Sequence, residues 1–401
     1  MRRKAKQTDR RRRWQWNGGA GARRVGEGES GMKAVAVFPA MQQTRLIDCP
    51  EPRIASPSEV KLRMLEVGVC GTDREITSFQ YGTPPSGEDH LVIGHESLGE
   101  VAEIGSAVSR LKPGDLVVTM VRRPCPHATC KACRAGRQDF CYTGDFSERG
   151  IKAAHGFLTE WVVDDERYMH AVPAELRQVA VLAEPLTIAE KALEQVWQVQ
   201  QRLPWVDPAA TSEQSGNGRQ AVVLGAGPVG LLGAMTLAAA GFTTTVYSRS
   251  SGPHDKKALV GLFGARYVAA ESHSLAQLAA EVGNIDLVYE ASGASHVAFE
   301  LMEVLGTNGV FVFTGVPGRK APIELDADLI MRNLVLSNQV VFGTVNAGSN
   351  AYEAAIRDLG DFMKRWPEAV RRLITGRFPI TAYSELLLGK PAGIKNVFTL
   401  G

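Results

Sequence analysis

A chain of 401 residues is too long for one ordinary hydrophobic core, so two domains are predicted. With 44% hydrophobic and 22% charged residues, and with no window of 18 uncharged apolar residues, the composition fits a globular protein and argues against a membrane span. The net charge of +2 is uneven, because residues 1–31 carry +7 and the remaining 370 residues carry −5. An acidic body of this kind argues against general nucleic-acid binding.

Residues 1–31 are predicted to be disordered, or to result from a mispredicted start codon. They hold ten Lys or Arg, three acidic residues and few apolar ones, which is the composition of a disordered segment. No apolar stretch follows the charges, so the segment does not resemble a secretion signal, and a cytoplasmic location with reduced thiols is expected. The sequence changes abruptly at Met32 to "MKAVAVFP", which predicts a strand. A basic tail that binds acidic partners is the alternative.

A first set of metal-ligating side chains follows two strand-like runs. "EVKLRMLEVGVC" ends at Cys70, and "LVIGHESLGEV" brings His95 and Glu96 after a second apolar run. Zinc accepts such a mixture of sulfur, nitrogen and oxygen ligands. No cysteine follows Cys141, so a carboxylate must be the third ligand if water or substrate is to take the fourth place. Glu96 and Glu184, in "VLAEPLTIAEKALE", are both candidates, and the choice between them is open.

Four of the six cysteines fall within residues 125–141, "CPHATCKACRAGRQDFC". Four thiolates on one tight loop can surround a tetrahedral zinc ion, and such a closed site stabilises the fold but leaves no position for a substrate. Pro124, Pro126 and Gly136 favour an irregular loop over a helix. Four reduced, partly buried thiols are the alternative. The predicted ligands are Cys125, Cys130, Cys133 and Cys141.

A dinucleotide-binding turn is predicted at "QAVVLGAGPVG", where an apolar strand leads into Gly-x-Gly-x-x-Gly and an apolar helix. "TTTVYS", "DLVYEASG" and "GVFVFTGV" then read as strands of a doubly wound parallel sheet. NAD binding calls for an acidic residue after the second strand, whereas this chain has a serine and an arginine that suit the 2′-phosphate of NADP. NADP is therefore favoured, with NAD possible. The predicted cofactor-binding residues are Gly225, Ala226, Gly227, Pro228, Val229, Gly230, Ser248 and Arg249.

The succession of "GVCGTD", "GHE", the four-cysteine loop, "EP" and Gly-x-Gly-x-x-Gly resembles the zinc-containing medium-chain dehydrogenases from Met32 to Gly401. Within that family, "VCGTDREI", "VRRPCP", "FCYTGDFSERGI", "AEPLTIAEKALE" and "FGTVNAG" are similar to the glucose dehydrogenases of archaea and some bacteria. The resemblance implies an α/β fold with a GroES-like, β-rich catalytic domain and a Rossmann domain. The catalytic domain is expected at 32–190 and 345–401, and the Rossmann domain at 191–344.

The resemblance also implies roles for individual residues. Cys70 and His95 would hold the catalytic zinc, with Glu96 and Glu184 on or beside it. Thr72 corresponds to a hydroxyl residue near the reacting carbon and the cofactor ribose. The positions that would contact the sugar are Thr72, Glu148, Glu184 and Asn346.

The implied activity is oxidation of an aldose at C1 to the aldonolactone, with NAD(P)⁺ and two zinc ions per chain. A homodimer or homotetramer without nucleic-acid or membrane partners is expected. The first alternative is a polyol, threonine or simple alcohol dehydrogenase of the same family. The second is a non-catalytic nucleotide-binding or nucleic-acid-binding protein that uses the basic tail. The Cys70, His95 and carboxylate set argues against the second, because a binding protein needs no open metal site.

Overall fold

The computed structural model describes residues 31–206, 215–250, 255–318 and 322–400. The predictions for residues 1–30 lie outside the described residues, while Gly31 begins the first strand, one residue before the predicted start. Within the described ranges, no helix is both long enough and apolar enough to cross a membrane.

The first part of the chain is mainly β-structure with three helices. Its strands are β1 (Gly31–Phe38), β2 (Gln43–Pro50), β3 (Glu59–Gly68), β4 (Leu91–Val92), β5 (Glu96–Ile104), β6 (Leu116–Thr119), β7 (Arg122–Arg123), β8 (Ser147–Arg149), β9 (Ala153–Ala154), β10 (Trp161–Asp165) and β11 (Met169–Val172). Its helices are α1 (Gly71–Thr77), α2 (Lys131–Arg134) and α3 (Ala183–Gln200). The strand predicted in "EVKLRMLEVGVC" is β3, and it ends two residues before Cys70.

The second part alternates strands and helices. The elements are β12 (Gln220–Leu224), α4 (Pro228–Ala239), β13 (Thr243–Ser248), α5 (Lys256–Gly261), β14 (Arg266–Ala269), α6 (Leu275–Val282), β15 (Leu287–Glu290), α7 (Ser295–Glu303), β16 (Val310–Phe313), α8 (Ala327–Leu336) and β17 (Val340–Gly343). The strands form one parallel sheet in the order β14-β13-β12-β15-β16-β17. The predicted doubly wound sheet is therefore confirmed. Since the strand order reverses between β12 and β15, a ligand cleft is expected at their carboxyl ends.

The last part of the chain returns to the first part. Its elements are α9 (Ser349–Arg365), α10 (Pro367–Leu373), β18 (Ile374–Pro379) and β19 (Lys395–Thr399). Strand β19 pairs antiparallel with β3, so the C-terminal segment joins the sheet β11-β6-β5-β3-β19-β18, with β10 also paired to β3. Two small sheets, β2-β1-β4 and β7-β8-β9, flank it.

The hydrophobic core is continuous between the parts. One buried cluster contains Leu98 and Val118 of the first part, Val223 and Leu231 of the second, and Leu359 of helix α9. Helix α3 packs on both α4 and α9 and runs without a break through position 190. The domain boundaries at 190/191 and 344/345 therefore stay a prediction, although β19 joins the first sheet as the resemblance implied.

Candidate active site

Cys70 and His95 are brought together by the amino end of α1 and the turn before β5. The Asp73 carboxylate lies against both: its Oδ2 accepts a hydrogen bond from the Cys70 backbone N–H at 2.9 Å, and its Oδ1 lies 3.3 Å from His95 Nδ1. A histidine whose one ring nitrogen faces a carboxylate keeps the other nitrogen for a metal. Thr72, half-buried on the same turn of α1, lies between Cys70 and Asp73 in the chain.

Glu96 joins this pair, and its charge is balanced by a lysine from the far end of the chain. The ligand atoms of Cys70, His95 and Glu96 all lie within 4.8 Å of one another. Lys395 Nζ lies 2.7 and 2.5 Å from the two Glu96 oxygens and also donates to the Val69 carbonyl at 3.0 Å. Both side chains are buried. The sulfur, nitrogen and oxygen donors fit a zinc ion that has three protein ligands.

Glu184, the other candidate carboxylate, is in the first turn of α3. It is not in the set of ligand atoms within 4.8 Å of one another. Burial raises the pKa of its carboxyl to about 7, and the charges of His95, Glu96, Lys395 and Asp73 also act on it. Glu184 therefore lies near the cluster, and its role as a ligand stays a prediction.

The four-cysteine loop forms a compact lobe, Pro124–Cys141. The four Sγ atoms lie within 4.8 Å of one another, and all six cysteines of the chain, each within the described residues, are free of disulfides. Two sulfurs bound to one tetrahedral zinc at ~2.3 Å would be about 3.8 Å apart, and the Cys130–Cys141 separation is 3.9 Å. The donor set thus fits a structural zinc. The loop is less irregular than expected, because Lys131–Arg134 form a helical turn.

The two residues expected to contact the sugar meet across 198 positions of the chain. Asn346 Nδ2 donates to Glu148 Oε1 at 3.0 Å. The same oxygen accepts from Arg122 Nε at 3.1 Å and Nη2 at 2.9 Å, and this ion pair is buried. The guanidinium group of Arg122 also lies 3.8 Å from the centre of the Phe146 ring. Glu148 is therefore held as a carboxylate of fixed orientation.

The Glu148 strand is tied to the segment that follows α1. Thr83 donates to the Ile151 carbonyl at 2.9 Å and accepts from Ala153 N–H at 2.8 Å, beside β8 and β9. Tyr81, at the start of this link, is half-exposed. Burial raises the pKa of its phenol, and the charges of Glu148 and His95 both act on it. A Cβ at Gly150 would meet the backbone of Gly94, the residue before His95, so the strand that carries Glu148 packs beside the Cys70 cluster.

The glycine turn between β12 and α4 has the shape that a pyrophosphate requires. Gly225 has a φ of +108°, and a Cβ at Gly230 would lie 2.2 Å from the Gly225 carbonyl oxygen. A Cβ at Gly227 would meet nothing within 4 Å, so the middle glycine faces open space. Pro228 begins α4, whose amino end points at this space. This geometry fits dinucleotide binding.

A second carboxylate organises the other side of the nucleotide cleft. Glu290, at the end of β15, accepts from the Ser292 N–H and hydroxyl at 2.7 Å and from Gly293 N–H at 2.8 Å. Its other oxygen accepts from Gly315 N–H at 3.2 Å, after β16. The loops that follow β15 and β16 are thereby joined next to Gly225, at the predicted ligand-binding edge of the sheet.

Positive charge collects at the end of β13. Ser248 is the last residue of the strand and Arg249 follows it. Lys256 begins α5, and its ammonium pKa is lowered by burial and by the neighbouring Arg249 charge. Cationic side chains that follow this strand suit a phosphate group.

The sequence reasoning missed three residues that hold the site together. Asp73 orients His95, Lys395 neutralises Glu96, and Arg122 fixes Glu148. Asp73 is at the third position after the N-cap residue Cys70, which is the spacing of a capping box, but Cys and Asp are not the residues that mark this motif in a sequence. Lys395 and Arg122 have no such signal in the sequence, because a lysine or arginine is expected to be exposed to solvent unless its partner is known.

Two family models together match most of the chain. Residues 56–174 match the alcohol dehydrogenase GroES-like domain, and residues 177–400 match the glucose dehydrogenase C-terminus. The GroES-like fold that the resemblance implied is thereby confirmed.

Similar proteins agree with these models. The chain is 37% identical over 371 residues to the glucose 1-dehydrogenase of Methanocella arvoryzae, covering 92% of this chain and 100% of that protein. It is 38% identical over 373 residues to the enzyme of Thermoproteus tenax, covering 91% and 99%. A solved structure of Haloferax mediterranei glucose dehydrogenase in complex with NADP, Zn and gluconolactone matches with a TM-score of 0.81 and 31% identity, covering 92% and 99%. The chain is thus a member of the zinc-containing medium-chain dehydrogenase family, homologous to the archaeal glucose 1-dehydrogenases.

Proposed function

We propose that the protein oxidises an aldose at C1 to the aldonolactone, with NADP⁺ as the preferred hydride acceptor. The observation that supports this proposal is the hydrogen bond between Asn346 and Glu148, because two polar groups suited to sugar hydroxyls meet there, and the Glu148 strand is bonded to the segment that follows the Cys70 turn. A carboxylate and an amide accept and donate hydrogen bonds as vicinal hydroxyls require. The Haloferax protein in complex with gluconolactone supports the substrate class.

Each residue near the proposed reaction centre has a distinct task. Cys70 and His95 are proposed zinc ligands, and either Glu96 or Glu184 completes the set. When bound, zinc supplies Lewis acidity to an alcohol oxygen and the nicotinamide accepts hydride. Thr72, on α1, is the residue proposed to pass the hydroxyl proton outward. Four further thiolates, in the lobe, hold the second, structural zinc.

Sugar selectivity is assigned to Glu148 and Asn346. The buried Arg122 ion pair leaves the Glu148 carboxylate little freedom to rotate, so the pair is prearranged for particular hydroxyl positions. A polyol lacks the ring that keeps C1 and the other hydroxyls at a fixed separation. An aldose is therefore the better fit.

The test is a substrate panel with NADP⁺ reduction as the readout. Glucose, galactose and other aldoses should be oxidised readily, while sorbitol, threonine and ethanol should be poor. Replacing Glu148 by Gln or Asn346 by Ala should raise the sugar KM by about tenfold or more, since each removes a hydrogen bond to substrate. Good turnover of sorbitol or threonine, together with an inert Glu148→Gln, would establish the alternative dehydrogenase instead.

The NADP preference is assigned to Ser248 and Arg249. Replacing Arg249 by Asp removes a charge-assisted hydrogen bond of about 1.5–3 kcal/mol, which corresponds to a rise of more than about tenfold in the KM for NADP. The KM for NAD should change far less. Equal changes for both cofactors would show that Arg249 does not contact the 2′-phosphate.

Self-association through the nucleotide-binding part is also proposed. Strand β17 is at the edge of the described six-stranded sheet, and α8 beside it contains no buried residue. Met331, Val335 and Leu336 of α8 are each more than 60% exposed, which is unusual for a monomer surface. Light scattering should therefore give at least twice the mass of one chain, and Val335→Asp should reduce it. An unchanged mass for this variant would place the interface elsewhere.

A further inference from the structure

A buried aspartate lies at the base of the four-cysteine lobe. Asp139 comes two residues before Cys141, and its side chain is fully buried. Its two oxygens accept from Arg137 Nε at 3.1 Å and Nη2 at 3.0 Å, and Oδ2 lies 3.0 Å from Lys191 Nζ. A carboxylate buried this deeply requires such partners, since an unpaired charge would be strongly destabilising.

Lys191 connects this aspartate to the loop that carries Asn346. It is on α3, and only 1% of its surface is exposed. Besides Asp139, its ammonium donates to the Val345 carbonyl at 2.9 Å. Val345 directly precedes Asn346, whose backbone has a φ of +59°. Asparagine adopts this left-handed conformation more readily than most residues with a side chain, so its identity suits the turn that Lys191 holds through Val345.

A second connection leads from Asp139 to Glu148. The Asp139 carbonyl accepts from Arg122 Nη1 at 3.2 Å, and Arg122 is the residue that holds the Glu148 carboxylate. Both sugar-binding candidates are thus joined to one aspartate of the lobe. The Asp139 carboxylate is connected to the Asn346 loop through Lys191. The Asp139 backbone carbonyl is connected to Glu148 through Arg122.

We infer that Asp139 and Lys191 are positioning residues for the sugar, and that the four-cysteine lobe sets the geometry of the Glu148–Asn346 pair as well as stabilising the fold. This inference rests on the proposed function. The ammonium of Lys191 fixes the distance between the lobe and the Asn346 loop. Sugar binding depends on that distance, because the Asn346 amide can bond a sugar hydroxyl only while the two groups stay within hydrogen-bonding reach.

The expected signature is a change in sugar binding with little change elsewhere. Lys191 contacts neither the nucleotide turn nor the Cys70 cluster, so the KM for NADP and the zinc content should stay as in the wild type. Since Asn346 would hold substrate and transition state alike, its displacement raises the sugar KM more than it lowers kcat.

The test compares Lys191→Met with Arg137→Gln in the zinc-loaded enzyme. Both variants remove one cation from Asp139, but only Lys191 donates to the Val345 carbonyl, whereas Arg137 reaches Asn350, four residues after Asn346, through Glu194. Both should lower the melting temperature. Only Lys191→Met should raise the sugar KM, by about tenfold, with kcat and the NADP KM within about twofold of wild type. Calorimetric titration with gluconolactone should show the same rise in dissociation constant.

A double variant separates positioning from general destabilisation. In an Asn346→Ala background, Lys191→Met should raise the sugar KM little further, because the group it positions is already gone. Equal KM values for Lys191→Met and Arg137→Gln, or effects that multiply in the double variant, would overturn the inference. If Lys191→Met does not fold, the sugar KM, the NADP KM and kcat are measured for Asp139→Asn instead and judged by the same criteria. A wild-type enzyme that oxidises no aldose would instead refute the proposed function.

Discussion

The two cysteine-bearing clusters of this protein are assembled in opposite ways. The four-cysteine lobe takes all its ligands from residues 125–141, on one loop. The Cys70 cluster takes its groups from α1, from the turn before β5 and, through Lys395, from a strand 299 residues after Glu96. The first cluster needs only its own loop, whereas the second needs the pairing of β3 with β5 and, for the lysine beside Glu96, the pairing of β19 with β3.

This difference indicates how each cluster should respond to the loss of a single side chain. A local metal site depends on its own ligands, so losing one ligand should unfold the lobe and leave the Cys70 cluster intact. A non-local site also depends on charges that must remain paired after distant strands come together. The effects of single substitutions should therefore differ in kind between the clusters.

The largest effect is expected for Cys70→Ala. Even partners outside the ligand set typically cost 10–100-fold when removed, so loss of a ligand should lower turnover by more than about 100-fold. The measured zinc content should fall from about two ions per chain to about one, and the melting temperature should change little. A wild-type enzyme with a single zinc, held only by the lobe, would contradict this prediction.

Cys133→Ala is the matched change in the local cluster. It should also remove one zinc, but it should lower the free energy of unfolding by several kcal/mol because the lobe loses its metal-supported structure. In the fraction that remains folded, kcat should stay close to wild type. Denaturant titration and metal analysis of the same preparation measure both quantities. Loss of kcat equal to that of Cys70→Ala would remove the distinction between the two clusters.

Lys395→Met tests the long-range ion pair. Removing one partner of a buried pair typically costs about 3–5 kcal/mol, because the remaining charge is uncompensated. Urea titration should show this loss in the free energy of unfolding. The double variant Glu96→Gln with Lys395→Met should recover part of it. A loss below about 1 kcal/mol would mean that other groups balance Glu96.

The smallest effect concerns the packing of the returning C-terminal segment. His170, on β11, stacks on Tyr352 of α9 with the ring centres 5.3 Å apart. Burial lowers the pKa of its imidazole to about 4 from the ordinary 6.5, while the Glu353 charge partly opposes this. Below pH 6.5 the unfolded chain therefore binds a proton that the folded chain does not, and stability is lost as the pH falls from 6.5 towards 4.

The titration of His170 lowers the free energy of unfolding by about 3 kcal/mol at most. Thermal or urea unfolding between pH 7 and 4 measures it, and His170→Phe should flatten the dependence over that range. An unchanged pH dependence in this variant would assign the acid sensitivity to other groups.

The sequence by itself determined the features whose residues are close together in the chain. The spacing of the four cysteines, the glycine turn at 225–230 and the apolar runs that became β13, β15 and β16 could all be found before the structure, because each depends on local geometry. The family resemblance added Glu148 and Asn346, which the structure places 3.0 Å apart.

Only the tertiary structure decided how these parts are held. In the sequence, Asp73, Lys395, Asp139 and Lys191 are ordinary charged residues, for which a solvent-exposed position is the first expectation. Their burial and pairing follow from the register of β19 on β3 and from the docking of α3 between the lobe and the Asn346 loop. Those contacts join residues up to 326 positions apart, and no local pattern encodes a partner at that distance.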